Sequence, residues 1–268
     1  MSDPWILSEI DERGVATLTL NRPDRHNAFN AEVIAELTAT LRDLDGNDAV
    51  RVVVLTGAGK SFSAGADLNW MKAMAGYSEA ENLDDSLRLA ELMRTLNELG
   101  RPTIARINGH VFGGGVGLVA CCDIAIAVEH ARFALSEVKL GLIPAVISPY
   151  VIAAMGERHA RRFFLTAEAM SAETAQNVGL VHEIAAVEEL DNAVEREIEL
   201  LLQGGPAAQG IAKQLIRNVV RDEMQREELH HYTAKLIAQT RVSTEGQEGL
   251  AAFLEKRQPE WTNARRKP

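Results

Sequence analysis

The spacing of apolar positions divides the chain into strands, helices and turns. Val15 to Leu20 alternates with a strand's period of two, and with Trp5 to Ile10 it predicts an antiparallel hairpin turning near Arg13-Gly14. Ala31 to Leu44 has the helical period, with Val33, Ile34, Leu37, Leu41 and Leu44 on one face and Asn30 placed to cap it. Arg51 to Thr56 is a β-branched run ended by Gly57, the pattern of a strand buried on both faces. Ser78 to Asn97 predicts a long helix, with Leu83, Leu87, Leu92 and Leu96 among its apolar positions and Gly100-Arg101-Pro102 stopping it. Thr103 to Ile107 is again a strand, Val116 to Cys122 an apolar helix of small residues, and Ala131 to Leu135 a second short strand. Pro144 and Pro149 are helix breakers, Ser171 is a candidate cap, and Leu180 to Ile184 is a short strand. Helices are predicted over Leu190 to Leu202, Ala207 to Val220, Met224 to Arg241 and Thr244 to Lys256.

Repeated strand–helix units predict an α/β fold with a mostly parallel sheet. No strand pattern follows Gly204-Gly205-Pro206, which places a boundary there: residues 1–204 form the core, and 205–268 a helical region whose apolar faces require a partner.

Composition narrows the function. The 268 residues, 46% of them hydrophobic, suffice for a sizeable core, no apolar run is long enough to span a membrane, and MSDPWILSEIDERG lacks the character of a signal peptide. The expected location is therefore cytoplasmic. A net charge of −10 argues against a nucleic-acid partner, so a polyanionic ligand must meet a local cluster of cations. The only two cysteines, Cys121 and Cys122, are adjacent in a predicted buried helix, which argues for packing and against a disulfide or a metal site.

Two glycine turns carry the candidate chemistry. Gly113-Gly114-Gly115 opens a helix, and the first amides of a helix have no partner within it, so this turn can hold an anion or a developing oxyanion. SAGAD at Ser63 to Asp67 is a second such turn, and Glu137, after a strand and before Gly141, is a candidate acid–base group. The apolar neighbours Leu135, Val138 and Leu140 are expected to hold that carboxyl near the proton-sharing range. Other readings stand beside this one. Gly115-Val-Gly117-Leu-Val-Ala120 fits the dinucleotide fingerprint G-x-G-x-x-A, although that scheme leaves SAGAD without a role; the glycines also serve close helix packing. Arg25 and His26, on the loop before the first helix, suit phosphate contact or simple solvation.

Through NRPDRHNAFN, GKSFSAGADL, INGHVFGGGVGLVACCDIAIA, FALSEVKLGLIPA and EGLAAFLEKRQPEW the chain resembles the enoyl-CoA hydratase/isomerase (crotonase) superfamily over nearly its full length. Within it, SAGADLNWM, LSEVKLGLIPAVISPYV and GERHARRFFLTAE look most like bacterial methylglutaconyl-CoA hydratases of leucine breakdown, and like hydratases of longer branched, carboxylated enoyl-CoA esters in terpene degradation. The resemblance implies a spiral of strand–strand–helix units with a C-terminal helical trimerisation region, assembled as a trimer or dimer of trimers. It implies an acyl-CoA substrate with no separate cofactor, since coenzyme A is part of the substrate.

Carried over residue by residue, the resemblance makes the amides of Ala66 and Gly114 an oxyanion hole around the thioester carbonyl. It has Ala64, Gly65, Asp67 and Leu68 line the site, Arg25 and Ala28 lie along CoA, Lys256 approach a CoA phosphate, and Asp123 serve structure. The chain departs from the two-glutamate hydratases at Gly117, where they carry the first glutamate, so Glu137 is the sole expected acid–base side chain. Gly117 is expected to leave room for a water or a branched acyl group. A single carboxylate permits syn hydration, and it also resembles the Δ3,Δ2-enoyl-CoA isomerases.

Overall fold

A computed structural model describes residues 4–221 and 226–265. Six strands, β1 (Ile6–Ile10), β2 (Val15–Leu20), β3 (Val52–Gly57), β5 (Thr103–Ile107), β7 (Ile124–Val128) and β10 (Glu183–Ala185), form the larger sheet in the order β1-β2-β3-β5-β7-β10. Within this sheet the hairpin β1–β2 is antiparallel and the other described pairs are parallel. A smaller sheet holds β4 (Ser61–Ser63), β6 (His110–Phe112), β8 (Arg132–Ala134) and β9 (Met170–Ser171), in that order.

The chain builds these sheets as a spiral. In each of three turns the first strand joins the large sheet and the second the small one: β3 then β4, β5 then β6, β7 then β8. Helices close the turns: α2 (Leu68–Met74) and α3 (Glu79–Glu98), α4 (Gly114–Cys121), and α5 (Ser148–Thr166). α1 (Ala31–Asp45) precedes them, with the Asn30 side chain accepting from the Val33 amide at 3.0 Å as its sequence predicts. Every residue of β3 is buried, which is why its sequence shows no alternation.

One local expectation is corrected. Pro149 lies in the first turn of α5, where the missing N–H has no intrahelical role, so it starts a helix and breaks none. In α3 the inward positions are Asp85, Leu92, Met93 and Leu96, whereas Leu83 and Leu87 face outward.

Asp123, at the end of α4, accepts from the Thr103 amide at 2.7 Å and the Thr103 hydroxyl at 2.9 Å, and meets Lys213 at 2.6 Å. It ties α4 and β5 to α8 (Pro206–Arg221), a structural role. α6 (Ala172–Asn177), capped by Ser171, and α7 (Leu190–Gln203) precede α8. Past it come α9 (Arg226–Val242) and α10 (Thr244–Glu255); the predicted start of α9 at Met224 lies outside the described residues. No helix among the described residues is long and apolar enough to cross a membrane.

Candidate active site

The short parallel strands of the smaller sheet deliver the site. Ser63 of β4 pairs with Val111 of β6, and Phe112 of β6 with Ala134 of β8, so the three strands end side by side. Ala66, Gly114 and Glu137 lie two or three residues beyond those ends, and register alone brings them together.

The two glycine turns touch. A Cβ built on Gly65 would stand 3.4 Å from the Gly113 Cα and 2.8 Å from the Phe112 carbonyl oxygen, and both glycines have positive φ, +82° and +50°. A side chain at Gly65 would drive the turns apart, and at Gly113 the positive φ disfavours one. Phe29 pairs with Ala66 as a parallel bridge, its amide donating to the Gly65 carbonyl at 2.6 Å and its carbonyl accepting from the Asp67 amide at 2.7 Å. In such a bridge the opposed residue's own N–H points to the other side, so Ala66 presents its amide away from Phe29. Gly114 opens α4, and its amide precedes the helical ladder. Both residues line one cavity of about 250 Å³ with Phe29, Trp70, Glu137 and Ile147.

Glu137 begins a 3-10 turn, Glu137–Leu140, that Gly141 ends in the left-handed conformation at φ +72°. Its Oε1 would lie 3.5 Å from a Cβ on Gly113, and its Oε2 is buried with no hydrogen-bond partner. Burial pushes its carboxyl above the ordinary glutamate range, with its own backbone hydrogen bond opposing. The expected apolar setting is corrected: Leu135 is buried, but Leu140 is 61% exposed, and the apolar wall is supplied by Leu142 to Ile147. That segment follows the turn and folds back over the carboxylate.

The remaining sequence candidates divide. Gly65 is buried in the turn, and Ala64, half-buried, donates from its amide to the His26 carbonyl at 2.8 Å. Asp67 shapes the turn: its Oδ1 caps α2 through the amides of Asn69, 2.8 Å, and Trp70, 3.3 Å, and its Oδ2 meets Arg22 at 2.9 Å. Burial alone would raise its pKa, but those two amides and the Arg22 guanidinium hold it below the usual carboxylate range. Ala28 is buried, its carbonyl accepting from Arg22 at 2.7 Å. Arg25 is exposed beside Asp24, and Leu68 is 74% exposed. Lys256 caps α10, which packs on α8 and α9, and it is not part of the cavity lining.

Gly117 holds no spare room. A Cβ there would stand 2.8 Å from the Ile147 Cβ and overlap its Cγ2, so α4 packs against the start of α5 where the two-glutamate pattern has a carboxylate. Other members of the site were absent from the sequence reading. Asn27 holds the loop before α1, its side-chain N–H₂ donating to the carbonyls of Ala58, 2.9 Å, and Ser61, 2.7 Å; an Asn able to adopt its positive φ of +56° is the trace this leaves in sequence. Phe29, Trp70 and Asp85 reach the cavity only through the packing of their elements. Among the described residues no group of three or more His, Cys, Asp or Glu is placed to hold a metal. Burial pushes the Cys122 thiol up to about 12, and both cysteines are buried and form no disulfide.

This geometry has close counterparts. A crystal structure of an enoyl-CoA hydratase from Shewanella pealeana superimposes with a TM-score of 0.92 at 45% identity, covering 96% of each chain. An enoyl-CoA hydratase structure from Mycobacterium smegmatis gives 0.90 at 34% identity over 97% of this chain and 99% of that one. The 1,2-epoxyphenylacetyl-CoA isomerase of Escherichia coli is 33% identical over 262 residues, 96% of this chain and 98% of the relative. The sequence profile described as Enoyl-CoA hydratase/isomerase matches residues 11–265. Two apposed amide turns and a buried carboxylate, set on a spiral shared with these proteins over nearly its full length, place the chain in the enoyl-CoA hydratase/isomerase (crotonase) superfamily.

Proposed function

We propose that the protein adds water across the double bond of an α,β-unsaturated acyl-CoA. The observation that carries this is the convergence of the Ala66 amide, the Gly114 amide and the Glu137 carboxyl on one cavity. In that arrangement the thioester carbonyl accepts from the two amides, which stabilise it most when it becomes an enolate oxygen, and Glu137 moves the proton at the α-carbon. The elevated pKa of Glu137 suits it to give a proton as well as take one. Arg25 and Ala28 are assigned to lie along CoA, and Lys256 to approach a CoA phosphate.

The acyl group we assign is a branched, carboxylated one such as methylglutaconyl, supported by the sequence motifs around SAGADLNWM and LSEVKLGLIPAVISPYV. A panel of enoyl-CoA thioesters, followed by loss of the conjugated absorbance, tests it: fastest turnover on branched carboxylated esters is expected, and a preference for straight-chain esters would overturn the acyl assignment. A second reading, Δ3,Δ2-isomerisation, is favoured by one observation. Ile147 occupies the space at Gly117, leaving Glu137 without a partner on α4, and isomerisation needs only one proton shuttle. The oligomeric reading is a trimer or dimer of trimers, supported by the exposed apolar side chains of α8–α10, among them Val220, Val242, Phe253 and Leu254.

A further inference from the structure

Hydration moves two protons, and Glu137 at the α-carbon accounts for only one of them. The second, lost by the attacking water, either returns through Glu137 itself or goes to a separate acceptor near the β-carbon, and α4 cannot supply one because Ile147 fills the space at Gly117. α3 presents another carboxylate. Asp85 is 8% exposed in the half of α3 where Leu83 and Leu87 face outward, an arrangement that gives up apolar burial to place a carboxylate inside. It lines the same cavity as Ala66, Gly114 and Glu137.

Asp85 also lines a second pocket, of about 530 Å³, shared with Arg22, Asn30, Tyr77, Glu81 and Arg88. Asp85 and Trp70 are the two residues common to both, so they form the partition between a polar outer pocket and the inner acyl cavity. Arg88, one turn away, is paired with Asp84, not with Asp85. The Trp70 indole nitrogen, also buried, makes no well-formed hydrogen bond.

We infer that Asp85 is the second catalytic carboxylate: it receives the nucleophilic water from the polar pocket and takes its proton, replacing on α3 the group that Gly117 removes from α4. This rests on the hydratase reading above. The water oxygen bonds to the β-carbon as one of its protons passes to Asp85. The double-bond electron pair moves onto the thioester oxygen, held by the amides of Ala66 and Gly114. The enolate then takes a proton from Glu137 at the α-carbon. One water is added in total, and after product release Asp85 returns its proton to solvent while Glu137 regains one. Burial raises the Asp85 carboxyl above the ordinary aspartate range; Arg88 opposes this, Asp84 reinforces it, and the Trp70 indole opposes it last. A carboxylate shifted this way is a stronger base than a solvated one.

The test separates the two protons. Asp85→Asn is expected to lower kcat for hydration about 100-fold while leaving CoA-ester affinity, measured by calorimetry, nearly unchanged. Exchange of the α-protons of a saturated acyl-CoA in deuterated water needs only Glu137 and the two amides, so it is expected to survive at near wild-type rate. In Asp85→Ala, formate is expected to restore hydration saturably, a rescue that a purely structural role would not give. Hydration unchanged in Asp85→Asn, or hydration and exchange falling together without formate rescue, would overturn the assignment. If the wild-type protein exchanges α-protons but adds no solvent oxygen to any ester, the hydratase reading fails and Asp85 loses this role with it.

Discussion

Gly114 is the residue at which packing and chemistry are hardest to separate. A Cβ there would stand 2.8 Å from the Phe29 ring, so Gly114→Ala must displace the turn whose amide faces the cavity. Loss of one oxyanion donor commonly costs ~100-fold or more in kcat, and that is the loss expected here, with CoA-ester binding retained. Phe29→Leu in the same chain withdraws the ring edge and is expected to recover part of the rate, a coupling that a double-mutant cycle measures. Glu137 makes a second prediction at this scale. Acting as base in α-proton exchange, it must be ionised, and burial raises its pKa, so the exchange rate should climb with pH along a limb above the ordinary glutamate range. Asp85 shares its cavity, with Asp84 and Arg88 on the same helix, and Glu137→Gln is expected to abolish the limb while Asp85→Asn keeps it. Profiles of exchange rate against pH for the three proteins decide it.

At the scale of elements, α4 fits closely against the start of α5. Gly117→Ala would press a methyl against Ile147, and overpacking of this kind typically costs about 1–3 kcal/mol. Ile147→Ala in the same chain should relieve the clash, and thermal melts of the single and double variants measure both effects. This contact also marks where sequence reasoning stopped. The helix was legible from its apolar residues and Glu137 from its place between a strand and Gly141, but nothing in the local pattern showed that Ile147, far along the chain, fills the space beside Gly117. Of the large sheet, β2 was readable because it alternates and β3 because it is a continuous apolar run. β4, β6 and β9 span three residues or fewer, too short for any period to register, and β7 went unread inside the run that follows the cysteines. Asp85 was hidden for a related reason. Leu83 and Leu87 are apolar positions in the sequence of α3, yet in the fold they face outward and the aspartate is buried.

For the whole molecule, charge and assembly remain linked to the surface. The helices past Gly205 leave the large apolar side chains of Val220, Val242, Phe253 and Leu254 at least 75% exposed, surface that a partner subunit would cover. Sedimentation at micromolar concentration is expected to give a trimer-based particle; a species of 29.3 kDa alone would contradict it. Above assembly stands the central claim, that one cavity bearing two amides and Glu137 adds water to an enoyl-CoA. Turnover in isotopically labelled water, with mass analysis of the product, tests it most directly. The predicted result is one solvent oxygen on the β-carbon, formed ~100-fold or more slowly by Glu137→Gln. Double-bond migration without oxygen incorporation, or full hydration by Glu137→Gln, would contradict the account.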